Sequence, residues 1–244
     1  MVKSRIPRRQ FLKAAGAAGV GGAAITTGLP SPSTAEAASA QSASPSAAAN
    51  APAPEGRLVL TRTEDAFLTA AVDTIIPADE LSPSGSECGI VTFIDRQLAS
   101  AWGGGALMYR SGPFEQGTPE QGYQLPLTPR DFFSAGIAAA NDWSKTTYGK
   151  LFDLLTQAQC ADALKAMEAG KAEFAGLDAR LFFQRLLTIT MEGFFSDPLY
   201  GGNRNMASWR MLQYPGLPAL YAAKFQEYRN KRYIAEPHSI EEFL

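Results

Sequence analysis

Aromatic side chains divide this chain in two. Of its 25 aromatic residues, only Phe11 precedes position 57. A packed core needs large apolar groups, so residues 57–244 alone can build one. The 27 positions from Pro30 to Gly56 hold 10 Ala, 6 Ser and 5 Pro. Such a stretch buries too little apolar surface to offset the entropy of ordering it. Residues 38–56 therefore read as a flexible linker. The 188 residues that follow suit one domain with a sizeable core.

Charge divides at the same place. Lys3, Arg5, Arg8, Arg9 and Lys13 face only two acids, Glu36 and Glu55, before residue 57. The whole chain carries −2, so residues 57–244 carry −5. That balance argues against a nucleic-acid partner. One His and two Cys exclude most zinc sites built from those residues, and any iron–sulfur cluster held by four cysteines of this chain. No Cys-x-x-Cys-His occurs, so covalent haem attachment is excluded as well.

Pro7-Arg8-Arg9-Gln10-Phe11-Leu12-Lys13 resembles the twin-arginine export motif. Arg8 and Arg9 are the pair, Phe11, Leu12 and Lys13 complete the element, and Pro7 replaces the usual Ser or Thr. Ala14 to Leu29 follows as a weakly apolar stretch of 16 residues, short for a membrane span. Ala35-Glu36-Ala37 and Ala38-Ser39-Ala40 offer small-residue cleavage sites. Residues 1–37 thus read as an export signal, with an uncleaved anchor as the alternative. The resemblance implies translocation of an already folded protein by the twin-arginine translocase. A chain with no cofactor motif takes that route either because it folds fast or because it travels with a cofactor-bearing partner.

The domain reads as all-α, a single helical domain with long ordered loops after a disordered export segment. Thr63 caps an expected helix running to Ile75, with Phe67, Leu68, Ala71 and Val72 on one face. A second runs from Gly89 to Trp102. Thr128-Pro129-Arg130-Asp131 starts a third, ending near Tyr148. A fourth follows Thr156 to about Gly170, and a fifth spans Asp178 to Phe195. Cys88 and Cys160 form a disulfide in an oxidising compartment or stay as two buried thiols; one sequence leaves both open.

Catalytic raw material is sparse. Asp73, Asp79, Glu80 and Glu87 flank the first interhelical loop and are the alternative site, for acid–base or cation chemistry in a free-standing periplasmic enzyme or binding protein. Most such acids cap helices or solvate loops. His238 reads as a solvated side chain near the C-terminus. Asp95-Arg96 reads as structural, pairing on a helix surface or fastening a loop. Residues 199–233 stand apart, with six cations and one acid. From Phe194 to Tyr233 there are nine aromatics. Arg and aromatics together suit a buried contact surface, the domain's own core, or both.

Glu192-Gly193-Phe194-Phe195-Ser196-Asp197-Pro198-Leu199-Tyr200-Gly201-Gly202-Asn203 resembles the signature of the gluconate 2-dehydrogenase subunit 3 family. Met206, Ser208-Trp209 and Tyr214-Pro215-Gly216 extend it. Ile75-Ile76-Pro77-Ala78-Asp79 with Gly89 to Leu98 resembles the family's first block, and Tyr123-Gln124-Leu125 with Leu127-Thr128-Pro129 its middle. The resemblance implies a small non-catalytic subunit in an oxidoreductase complex using an acceptor other than NAD or oxygen. Its expected partners are a large FAD-containing dehydrogenase subunit and a cytochrome c subunit. FAD and haem c are expected in those partners and no cofactor in this chain. The expected place is the periplasm, at the inner membrane through the complex. No catalytic residue is implied. Phe195, Tyr200, Gly201, Gly202, Asn203, Arg204, Trp209 and Tyr214 are the candidate partner interface.

Overall fold

Thr61, not Thr63, opens the first helix, α1 (Arg62–Ile75). The reason is the Thr61-x-x-Glu64 spacing. The Thr61 hydroxyl accepts from the Glu64 backbone N–H, and the Glu64 carboxylate accepts from the Thr61 backbone N–H at 2.8 Å. A cap at Thr63 forfeits that reciprocal pair. The computed structural model describes residues 56–115, 117–118, 124–217 and 222–244. The export motif (Arg8, Arg9, Phe11, Leu12, Lys13), the linker and Tyr123 lie outside the described residues.

The second helix, α2 (Ile90–Ala99), is shorter than the expected Gly89–Trp102 span. Gly89 stands outside it with left-handed φ 82°, and Ser100 turns extended. The Ser100 hydroxyl bonds back to the Gln97 carbonyl at 2.7 Å, so the chain leaves the helix before Trp102. Helices α3 (Pro129–Tyr148), α4 (Gln157–Glu168) and α5 (Ala179–Phe195) begin at Thr128, Thr156 and Asp178 as expected. Two short helices, α6 (Ala207–Leu212) and α7 (Ala222–Phe225), follow. Among the described residues there is no strand, only one isolated bridge between Gly216 and His238. The fold is all-α.

α1 lies at the centre, against α2, α3, α4 and α5. Phe67, Phe132, Phe152 and Phe182 are fully buried there, with the Phe67–Phe152 ring centroids 4.6 Å apart and Phe67–Phe182 6.1 Å apart. Burying each such side chain contributes about 1.5–3 kcal/mol. Asp95 fastens the domain's first residues to α2. Its buried carboxylate accepts the N–H groups of Leu58 (2.6 Å), Val59 (3.0 Å) and Leu60 (3.0 Å). Arg57 adds bonds to Asp65 at 2.5 Å and Thr92 at 3.0 Å.

Cys88 and Cys160 are separate buried thiols, so the disulfide alternative does not occur here. Each S–H donates to a carbonyl, Pro83 and Phe152 respectively, at 3.5 Å. Burial pushes both thiols above their ordinary pKa; Glu87 and Asp73 add to the effect at Cys88.

Candidate functional site

The signature block is a turn that ties α5 to α2. α5 ends at Phe195, and Asp197 then caps a single turn, Pro198–Tyr200, by accepting the Leu199 N–H at 3.0 Å. Gly201 closes that turn at φ 96°, a backbone shape that only glycine takes without strain. Its neighbour Gly202 is required by proximity. A Cβ there would lie 2.2 Å from the Gly193 carbonyl oxygen, backbone against backbone. α2 meets the same turn from the other side. Arg96 donates to the Leu199 carbonyl at 3.2 Å, and the Arg204 N–H to the Cys88 carbonyl at 3.0 Å.

Asn203 is the hub. It is fully buried and left-handed, at φ 45° and ψ 43°. Its amide nitrogen donates to the Ser196 carbonyl at 2.9 Å. Its amide oxygen accepts from the Ser208 N–H at 2.9 Å and hydroxyl at 2.8 Å. One side chain thus satisfies the α5 terminus and the first turn of α6. Trp209, 7 % exposed, donates its indole N–H to the Phe195 carbonyl at 3.0 Å and meets Tyr214 edge-on at 5.2 Å.

The candidate interface therefore separates into two layers. Gly202, Asn203 and Trp209 are internal, which corrects their placement on a partner surface: their polar atoms and backbone are consumed by the domain's own packing. Phe195, Tyr200, Arg204 and Tyr214 are exposed around them, and Gly201 is partly exposed. Met191 and Leu212 extend this apolar rim.

The C-terminus reaches the same knot, a contact the sequence did not announce. The Ser239 hydroxyl donates to Asp197 at 2.7 Å and the Ile240 N–H at 2.9 Å. His238 sits in that segment, its Nδ1 2.7 Å from a Glu242 carboxylate oxygen, so it is paired rather than merely solvated. The bond to His238 holds the Glu242 carboxyl below its ordinary range.

The acidic alternative is spent on local structure. Asp73 accepts from the Ser86 N–H (2.7 Å) and hydroxyl (2.9 Å). Asp79 accepts from the Leu81 and Ser82 N–H groups, and Glu87 from the Ser84 N–H. Glu80 is exposed. Among the described residues no three His, Cys, Asp or Glu side chains converge as a metal would need. Asp95 and Arg96 fasten backbone in two directions, the structural role expected of them.

A shallow cleft opens between α2, α3 and α5. Its apolar end, about 160 Å³, is lined by Trp102, Met108, Phe132 and Phe133. Its polar end, about 230 Å³, adds Gln97, Arg185, Thr188 and Glu192. Burial pushes the Glu192 carboxyl up, and Arg185 opposes it.

These features define a class: an all-α domain organised around a glycine–asparagine turn, with its polar groups committed to structure and an aromatic rim left outside. The chain belongs to the gluconate 2-dehydrogenase subunit 3 family, whose pattern matches residues 62–216. The match spans α1 through the signature to Gly216, as the resemblance in the sequence implied. The family is that of a subunit of a dehydrogenase complex. No curated protein and no solved structure matches the chain.

Proposed function

We propose that this chain is the small, non-catalytic subunit of a periplasmic FAD-dependent dehydrogenase acting on gluconate or a related sugar or polyol. It supports folding, stability and twin-arginine export of the flavoprotein subunit. The family match over residues 62–216 carries this reading. The geometry supports it, because the signature's buried polar groups serve architecture and leave Phe195, Tyr200, Arg204 and Tyr214 as a contact rim on a rigid base.

The described residues carry no recognisable site for either cofactor of such a complex. Haem c needs a Cys-x-x-Cys-His pair of exposed thiols, whereas Cys88 and Cys160 are buried and far apart in sequence. A dinucleotide site of the Rossmann kind needs a strand opening into a glycine-rich turn, and the described residues hold no strand. On this reading FAD sits in the large subunit and haem c in a cytochrome subunit, with the complex at the inner membrane. Among the described residues no helix is long and apolar enough to cross a membrane.

The test is export of the partner. Arg8→Lys with Arg9→Lys in the full chain should leave the flavoprotein subunit in the cytoplasm. A flavoprotein that reaches the periplasm unchanged would remove the export role.

A further inference from the structure

Beyond the family-matched region lies a small lobe, residues 222–236. It holds four cations, Lys224, Arg229, Lys231 and Arg232, against two acids, Glu227 and Glu236. Its net +2 stands within a domain of −5. All four cations are exposed. So are two large apolar side chains, Phe225 at 71 % and Ile234 at 62 %. The lobe has a defined shape. Tyr228 and Tyr233 meet edge-on at 4.8 Å, and the Lys224 amine donates to the Tyr233 hydroxyl at 2.9 Å. It is held to the signature region by Arg210–Glu236 at 3.5 Å and by the Arg232 bond to Gln213.

We infer that this lobe docks on an anionic phospholipid bilayer, with its cations at the headgroups and Phe225 and Ile234 entering the interface. Three observations carry it. Cations and tyrosines flank exposed apolar groups, the arrangement that suits a headgroup boundary. The lobe has positive charge where the rest of the domain is negative, so an anionic surface orients the molecule with this end down. It lies outside residues 62–216, whereas a protein contact common to the family belongs inside them.

The experiment is co-sedimentation of the full chain with phosphatidylcholine vesicles, with and without about one-third phosphatidylglycerol, at low and high salt. Binding should require the anionic lipid and fall at high salt. Arg229→Gln with Lys231→Gln should lower the apparent partition about 25-fold, roughly five-fold per cation. The N-terminal cations are identical in both proteins, so the difference isolates the lobe. Phe225→Ala should weaken binding several-fold at unchanged charge. Unchanged far-ultraviolet dichroism confirms that the variants fold. Equal binding to neutral vesicles, or a double variant that binds like the parent, overturns the inference. So does loss of a large subunit, with vesicle binding intact, in the double variant. None of these outcomes depends on the export test above.

Discussion

Asn203→Ala removes the side chain that joins α5 to α6. Three contacts disappear: the bond to the Ser196 carbonyl and the two from Ser208. Asn203 and Ser208 are fully buried, so water does not take their place. The Ser208 hydroxyl can rotate toward another acceptor, which leaves the Ser208 N–H and the Ser196 carbonyl. An unpaired buried polar group costs about 1–3 kcal/mol; the Ser196 bond is only part-buried, so the two together cost about 2–5 kcal/mol. The backbone adds to this. Ala in the left-handed region loses about 1 kcal/mol that Asn largely avoids. The expected loss is about 3–6 kcal/mol, a large share of the roughly 5–15 kcal/mol that holds a domain folded.

Urea unfolding followed by tryptophan fluorescence and dichroism reads this directly. With a denaturant slope of about 2–3 kcal/mol per molar, the midpoint should fall by about 1–3 M. Two companions divide the effect. Asn203→Gly keeps the left-handed backbone and should be about 1 kcal/mol less damaging than Ala. Asn203→Asp keeps an acceptor for Ser208 but sets a carboxylate against the Ser196 carbonyl, so it should be no better than Ala. An Asn203→Ala midpoint matching the parent would refute the hub, and with it the separation of the signature into core and rim.

Trp209→Ala should cost about 3–5 kcal/mol, because it empties a buried, hydrogen-bonded site. Tyr200→Ala, at an exposed position, should stay within about 0.5 kcal/mol of the parent while reducing recovery of the large subunit. Recovery unaffected by Tyr200→Ala would move the contact surface elsewhere. In the native chain both thiols should resist an aromatic disulfide reagent, and both should react in denaturant without prior reduction; silence in denaturant would reveal a bridge. Burial alone would raise the Glu64 carboxyl, but bonds from Ser134 and Thr61 outweigh it and hold its pKa below 4.5. That lowered value makes its contribution complete above the unfolded pKa and lost as pH falls through the folded one. Glu64→Gln should therefore flatten the acid limb of stability below about pH 4.5. An unchanged limb would dismiss this carboxylate as a cause.

Local signals carried most of the helix boundaries. Thr128-Pro129 and Asp178 starts are encoded within four residues, and the structure keeps them. Thr61 against Thr63 is decided by which threonine has a glutamate three positions on, a signal that is present in the sequence. The site was legible as a block but not as a layering. Asn203 looks like a turn residue in sequence, and its burial depends on Ser208 and on the end of α5 folding over it. Arg96 on Leu199 and Ser239 on Asp197 join positions 103 and 42 residues apart. No periodicity encodes such pairs. The acids near residue 80 looked like chemistry because composition shows charge and not the backbone N–H groups that consume it.

The proposed function requires that this chain work bound to a flavin-bearing partner. Purification of the full chain from its native cells, followed by sedimentation velocity at a flavin absorbance wavelength, tests this most directly. One boundary is expected, much heavier than a 26.1 kDa chain, that carries both this protein and flavin absorbance. A colourless boundary at the mass of the chain alone would contradict it.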